Sequence, residues 1–553
     1  MAKTPDASPR TTISFRGVHP GKLTGVTVKG SRTGAHPGTL RPHPDGRGVS
    51  FVPKSGFKPG ETVTVHAKQK LLGEQDGAVQ FKIALTPRFG VPVKVQKDPA
   101  GHPVGEQHFH SRPDLLPPSV KIEKRTAQAA PGELFLTPKA GPGADGTIIT
   151  DTSGGLIWFK QVPAGNSTFD LRVQRYQGKP ALTWWQGEVH HGQGQGAGMI
   201  YDSSYQKVAE VPPGNGYRAD FHEFQLSRDG RTAFFVIYEP VRYDLRRIGG
   251  PKDGSVIDGI VQEVDIKTGL VLFEWHTLGS VDLKETYANV PKKAPLDVSH
   301  LNSIYQEKDG NLLVSARDMH TALELNRGTG KIEWRLGGKD SDYQMGEGTQ
   351  FVGQHDIRRA PNGDITVFDN GSPPKTKRTA RAIALHVDDG DKKVTLAHAF
   401  QRTPPFVSPS QGNVQALPNG NFMVGWGGDV PFFDEYTPSG AVAIAGSIVP
   451  PTDDTYRVWH MPWIGRPKLP PDVAAQPAGG QTDVWASWNG ATEVRQWQVL
   501  TGTTADSLTP GPKAARTGFE TQIVVPGSPA FVAVRALDAT GRTLATSKPV
   551  QPG

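Results

Sequence analysis

The sequence predicts an all-β protein: a six-bladed β-propeller flanked by an N-terminal β-sandwich and a C-terminal fibronectin type III-like β-sandwich. Three observations predict it. The 553 residues include 65 glycines and 48 prolines without a Gly-X-Y period, the punctuation of many short strands joined by turns. Two kinds of turn recur through the middle of the chain, one at intervals of 50–61 residues and the other at 53–80, about the period of a repeated four-strand unit. Both ends carry short alternating apolar runs of sandwich type.

From the N-terminus, residues 1–12 lack apolar pattern and read as a disordered lead-in. Residues 13–116 form the N-terminal sandwich and a linker. Their strand texts include Leu23-Thr24-Gly25-Val26-Thr27-Val28, Thr62-Val63-Thr64-Val65 and Val79-Gln80-Phe81-Lys82-Ile83, alternating with period two. The stretch His108–Leu115 reads as the linker into the first blade. Residues 117–466 are the propeller. Residues 472–550 form the C-terminal sandwich, with Asp483-Val484-Trp485-Ala486-Ser487-Trp488 and Phe531-Val532-Ala533-Val534 as strands, after a join at Pro467, Pro470 and Pro471.

Within 117–466 one turn unit recurs at Gly155, Gly269, Gly330, Gly390 and Gly440, with Tyr201–Tyr205 filling the one double interval. A second unit, Asp-Gly or Asn-Gly, recurs at Asp229-Gly230, Asp309-Gly310, Asn362-Gly363 and Asn419-Gly420. Such dipeptides suit type I′ hairpins, whose two central residues both need positive φ. Six copies give six blades.

Composition excludes several chemistries. The chain has no cysteine, which removes disulfide scaffolds, thiolate metal sites and cysteine nucleophiles. The formal charge of +7 is dispersed, so no nucleic acid is expected. No run approaches a membrane span, and no signal peptide is visible at the start. The run Lys375–Arg381 reads as a solvated loop or a basic rim. The glycines of 192–198 read as a blade loop, since no strand-to-helix context makes them a phosphate loop.

Propeller ligands meet the funnel where innermost strands converge. The residues entering those strands, just before each Asp-Gly or Asn-Gly turn, are therefore the ones to inspect. Histidine stands there three times: His222, His300 and His355, at 8, 10 and 8 residues before the turn glycine. One such histidine is explained by hydrogen bonding between blades; three at equivalent places point to a site. Asn302 shares a strand face with His300, and Arg317 leaves the next strand. Three imidazoles suit a transition metal, but a guanidinium opposes a cation, and Arg, Asn and His together donate to an anion. No metal and no cofactor are expected.

These strings also carry a family resemblance. Asp220-Phe221-His222-Glu223-Phe224, Ser299-His300-Leu301-Asn302-Ser303-Ile304, Leu313-Val314-Ser315-Ala316-Arg317, Gln354-His355-Asp356 and Phe368-Asp369-Asn370-Gly371 resemble the bacterial arylsulfate sulfotransferases over most of 130–465. The chain is closer to an actinobacterial branch than to cysteine-bearing enterobacterial members. The resemblance implies transfer of a sulfuryl group from an aryl sulfate donor to a phenolic acceptor, without a nucleotide. It implies His355 as the transiently sulfated nucleophile, with His222, His300, Asn302 and Arg317 around the sulfate and leaving oxygen. It also implies a secreted or cell-surface protein. Two rivals stay open: a propeller serving as a binding or adhesion module, and a metal-dependent propeller hydrolase or lyase.

Overall fold

The computed structural model describes residues 4–87, 106–139, 144–190, 192–372, 378–428, 430–449 and 454–553. Apart from short 3-10 turns, the described elements are all strands. The middle of the chain forms six consecutive sheets whose main strands pair antiparallel, with the short strands Leu296–Asp297 and Gln344–Met345 added in parallel to the third and fifth. In the second to fifth, strands run in chain order: Ser167–Tyr176 to Lys207–Val211, Phe224–Leu226 to Val271–His276, Leu301–Gln306 to Ile332–Gly337, and His355–Arg359 to Lys393–Phe400. The sixth runs from Asn413–Ala416 to Val442–Val449 and takes Ser119–Arg125, from far upstream, on its outer edge. The first is Glu133–Leu136, Gly146–Thr150 and Leu156–Gln161, completed by Trp459–Met461 from far downstream. Early and late segments therefore exchange strands with the opposite end of the array.

Apolar packing is cyclic. Phe135 and Trp158 of the first sheet share a core with Leu182 and Trp184 of the second. Trp185 packs with Phe224 and Phe235, Phe234 with Leu301 and Val314, Leu313 with Ile357 and Ile365, and Phe368 with Val424. Phe433 and Ile444 of the sixth sheet return to Leu134 and Ile148 of the first. A sheet covered on both faces has no solvent side, and its strands lose alternation. Ile365–Asp369 is accordingly buried at every position. In the flanking regions alternation survives, as in Thr62–His66, where Val63 and Val65 are buried.

Both turn repeats land at constant places. The Asp-Gly and Asn-Gly turns join the first two strands of sheets three to six, and the other repeat joins the last two strands of all six. The turn type differs from expectation. Only the glycines, Gly230, Gly310, Gly363 and Gly420, have positive φ. Each donates its N–H to the carbonyl three residues back, as Gly230 does to Ser227. The preceding Asp or Asn uses its side chain instead: Asp309 Oδ1 accepts from the Asn311 amide at 2.9 Å, the turn-bridging habit of these residues.

The lead-in is also different. Residues 4–12 are held in place: Ala7 N–H donates to Lys82 O, and the Ala84 amide donates to Ala7 O, both at 2.9 Å. Asp6, Ala7, Ser8 and Thr11 are buried. The glycine-rich stretch is a strand, Gln193–Tyr201, rather than a loop. A Cβ on Gly198 would lie 2.2 Å from Phe224, so glycine is required for the second and third sheets to approach.

N-terminal strands form one three-stranded and one four-stranded sheet over a shared core of Val28, Phe51, Val63 and Phe81. Strands from Asp472–Ala478 to Thr543–Thr546 also form a three-stranded and a four-stranded sheet, around Val484, Trp497 and Val534. Segment 108–115 docks on this C-terminal part: His110 stacks on Trp485 at 4.1 Å, and Ser111 N–H donates to Glu520 at 2.7 Å.

Candidate active site

His222, His300 and His355 converge. The rings of His222 and His300 lie 4.9 Å apart and those of His222 and His355 6.4 Å apart. One ring nitrogen of each falls within 4.8 Å of the others. The histidines precede or open the innermost strands of the third, fourth and fifth sheets, which is why residues 133 positions apart meet. The backbone there is irregular. His300 and Asp356 have φ of +46° and +52°, and Gln411, entering the sixth sheet, has +65°. The register of the His355–Arg359 strand also shifts between His355 and Arg358. Bulges and left-handed residues re-aim side chains at sheet ends.

Each imidazole is oriented by a partner. Asn370 Nδ2 donates to the Gln411 carbonyl at 2.9 Å, so its Oδ1 faces His355 Nδ1, 2.8 Å away. His355 therefore carries its proton on Nδ1 and its lone pair on Nε2. Among the described residues that lone pair accepts from the Gln411 N–H, at 3.2 Å. His222 Nδ1 is bonded to Asp220, whose other oxygen accepts from the Gly194 amide at 2.6 Å. His300 Nδ1 is bonded to Asp297 at 2.9 Å.

These surroundings separate the protonation states. Burial holds His355 well below the ordinary imidazole range, and Arg317 and His222 push it the same way. Burial, with the positive charges of His300 and Arg457, also lowers His222. Its partner Asp220 is pushed up by burial to about 7. His300 moves oppositely. Burial would lower it, but the Asp297 carboxylate outweighs that and raises it. Two imidazoles are thus pushed toward the neutral form and the third toward the protonated form.

Arg317 reaches the same pocket, as its field on His355 indicates. Its guanidinium is bonded to Asp318 at 2.6 Å and to Pro409 O at 3.4 Å, while its Nε is buried without a hydrogen bond. His300 and Arg317 side chains are about one-fifth exposed, at 21% and 19%, and mark the open side. Asn302 is placed differently. It is fully buried, its Nδ2 donates to the Gln354 carbonyl at 2.7 Å, and its Oδ1 has no hydrogen bond. It contacts the residue beside His355.

Below the imidazoles lies a knot of buried charge that sequence reasoning missed. Arg457 bonds Asp170 at 3.0 Å and Glu223 at 3.2 Å, with Asp356 at 3.3 Å. Its other nitrogen donates to the carbonyls of His222 and Asn302. Arg358 bonds Glu223 at 2.8 Å and Asp356 at 2.7 Å, and Arg172 bonds Glu223. Trp459 lies about 5 Å from the Arg172 and Arg358 guanidiniums. Burial alone would raise Glu223; Arg358, Arg172 and Arg457 overcome it and hold Glu223 at about 2. Glu223 and Asp356 sit beside the histidines in the motif strings, which was the available signal. Asn370 and Asp297 carried only proximity. Arg457 carried none.

Other expectations resolve around this site. Trp184, Trp185, Trp426 and Trp459 are all buried between sheets and offer no face to a ligand. Lys375 and Lys377 lie outside the described residues, and Arg381 is paired with Asp369 at 2.8 Å. Cavities of about 550 Å³ beside Arg47 and Arg327 and about 400 Å³ beside Tyr205 and Trp488 are lined by none of the three histidines. Among the described residues no helix is long and apolar enough to cross a membrane.

Solved structures similar to this chain are distant. A protein of unknown function from Bacteroides caccae is 12% identical with a TM-score of 0.36, covering 60% of this chain and 98% of its own. A Dyadobacter fermentans protein of unknown function is 12% identical with a TM-score of 0.33, covering 74% and 98%. Virginiamycin B lyase from Staphylococcus aureus is 12% identical with a TM-score of 0.27, covering 63% and 88%. None is close enough to carry a structural or functional argument. No curated protein matches the chain. The model of the arylsulfotransferase (ASST) family matches residues 172–447, a span containing His222, His300, Asn302, Arg317 and His355. The chain belongs to the arylsulfotransferase family.

Proposed function

We propose that this protein is an aryl sulfotransferase working through a sulfated His355. The six sheets are the blades of a propeller over 117–466, flanked by sandwiches over 13–116 and 472–550, the latter fibronectin type III-like. The cyclic packing of the sheets supports that architecture. The observation that carries the chemistry is the convergence of three imidazoles in which Asn370 takes the Nδ1 side of His355 and leaves its Nε2 lone pair facing the pocket, while the Asp297 carboxylate on Nδ1 raises His300 beside it. Environments that push like groups apart in pKa mark acid and base.

In the first half-reaction His355 Nε2 attacks the sulfur of an aryl sulfate, displacing its long contact with the Gln411 N–H. The sulfur–oxygen bond to the aryl group breaks, and the phenolate, of pKa about 10, takes the His300 proton. His355 Nδ1–H donates to Asn370 as positive charge grows on the ring. In the second half-reaction an acceptor phenol gives its proton to His300 and attacks sulfur, and the sulfur–nitrogen pair returns to Nε2. Kinetics are ping-pong. Sulfuryl transfer, like phosphoryl transfer, has a loose transition state with charge on its peripheral oxygens, and Arg317 stabilises that charge. Asn302 acts by holding the Gln354 carbonyl, and so the strand start that aims His355. Export to the cell exterior follows from the family resemblance.

A second reading has one observation behind it: the three imidazole nitrogens are close enough for one metal ion. The two readings part cleanly. Intact mass after brief exposure to an aryl sulfate alone should reveal an acid-labile sulfuryl adduct on His355, unaffected by chelator. Turnover without adduct, abolished by chelator, would overturn the sulfohistidine reading. Binding without turnover would favour a module that has lost catalysis.

A further inference from the structure

A second buried polar cluster lies away from the histidine pocket, where the N-terminal segment crosses the third sheet. Asp6 arrives on residues 4–12, Asp258 projects from the strand Gly254–Asp265, and His276 ends the strand Val271–His276. One ligand-capable atom of each lies within 4.8 Å of the others. The three residues are 4%, 1% and 4% exposed.

The cluster gathers the carboxyl groups of Asp6, Asp258 and Glu274 around one imidazole. Among the described residues no N–H or hydroxyl donor reaches either carboxyl oxygen of Asp6; its neighbours are the Asp258 carboxyl, which together with burial pushes Asp6 up, and His276 Nδ1 at 3.8 Å. That imidazole is already bonded to Asp258 at 2.6 Å and to Glu274 at 3.2 Å. Glu239 lies directly across the strand pair from Asp258. The Tyr217 hydroxyl is likewise buried without a hydrogen bond. Ionising Asp6 so far from water costs several kcal/mol unless a positive charge compensates it, so the group either keeps a proton beside Asp258 or faces a cation.

The other donors are already oriented. The Leu278 N–H holds Asp258 Oδ1 at 3.0 Å, which leaves Oδ2 toward the cluster. Glu274 Oε1 faces His276 Nε2, and Glu274 Oε2 accepts from Gln262 at 2.6 Å and Asn215 at 2.8 Å. A carboxylate on the far nitrogen of an imidazole, itself fixed by hydrogen bonds, is the usual support of a metal-ligating histidine.

We propose that Asp6, Asp258 and His276 bind one first-row divalent cation of the zinc or manganese class, with Glu274 orienting the imidazole. Two carboxylates and one imidazole form a mixed donor set. Imidazole selects transition ions, whereas calcium and magnesium take all-oxygen sets. Bonds of about 2.0–2.2 Å require the 2.6 Å Asp258–His276 contact to open to about 3.0 Å in octahedral or about 3.4 Å in tetrahedral geometry, and the ion displaces to solvent the proton between His276 Nδ1 and Asp258 and the one held by Asp6. The ion neutralises Asp6 and clamps the N-terminal segment onto the third sheet, a role independent of sulfuryl transfer.

The test uses the chelator-stripped full chain carrying His355→Ala, so that the histidine pocket no longer offers three imidazoles. Calorimetric titration with Zn²⁺, Mn²⁺ and Ca²⁺ should give one equivalent of Zn²⁺ or Mn²⁺, with Tm rising as the free ion increases. Adding Asp6→Asn should abolish binding and the Tm response. Adding Glu274→Gln, which removes no ligand, should weaken binding about 10–100-fold. The proposal is overturned by three outcomes: no ion bound, in which case Asp6 keeps a proton shared with Asp258; binding unchanged by Asp6→Asn; or uptake of Ca²⁺ alone.

Discussion

The histidine pocket and the charged knot beneath it are built from the same strand starts, yet they are opposite in kind. Glu223 follows His222 and Asp356 follows His355, so one chain direction sends an imidazole into the pocket and the next residue's carboxylate into the knot. In the knot Glu223 and Asp356 each meet two or more arginines. In the pocket, among the described residues, Nε2 of His355 has one long contact and Arg317 Nε has none. Satisfied charges hold geometry, whereas unsatisfied ones are available for chemistry.

The sharpest way to break this division is at His355. His355→Ala should lower sulfuryl transfer by about 10⁴-fold or more and remove the adduct, with the melting curve little changed. A loss of fold instead would place His355 with the knot. Next in size is Glu223→Gln, which strips the negative charge from three arginines. We expect it to cost about 3–5 kcal/mol of stability, read by denaturant unfolding. The acid limb of wild-type stability sharpens the same point. Because folded Glu223 titrates at about 2 rather than its ordinary 4.5, its contribution is complete above pH 4.5 and fades as pH falls toward 2. A stability profile flat across that window would contradict the knot.

Arg317→Gln should lower kcat by about 10²–10³-fold with the fold intact, the loss seen when one donor to a developing oxyanion is removed. Smaller is the effect of Asp297→Asn. Wild-type kcat/KM should keep its acid limb below the ordinary imidazole value of about 6.5, because His355 is lowered, and its alkaline limb above it, because His300 is raised. Removing the Asp297 charge should move the alkaline limb to lower pH and leave the acid limb in place. If both limbs moved together, His300 would not be the acid.

Particular residues explain what could be read from the chain beforehand. The Asp-Gly and Asn-Gly turns were legible because they are local: four residues hold the hydrogen bonds and the positive φ. Their exact form was misjudged, since the Asp or Asn side chain bridges the turn and leaves left-handed φ to glycine alone. Histidines 222, 300 and 355 were legible because each stands 8 to 10 residues before such a turn glycine. Asn302 was legible as a neighbour but not in its direction, which is set by the Gln354 carbonyl of the adjacent sheet. Residues 4–12 looked featureless because what holds Ala7 is the backbone of Lys82 and Ala84.

Strand period, turn chemistry and the repeat spacing are properties of neighbouring residues, so the sequence by itself determined the all-β character, the repeated unit and the positions from which imidazoles enter. Protonation is different. Whether His300 holds its proton while His355 does not depends on Asp297, Arg317 and burial, and Arg457 joins Asp170, Glu223 and Asp356 only because the strand beside it, Trp459–Met461, returns to the first sheet. Only the tertiary structure decided those states, because electrostatic energy follows distance and solvent exclusion through space rather than order along the chain.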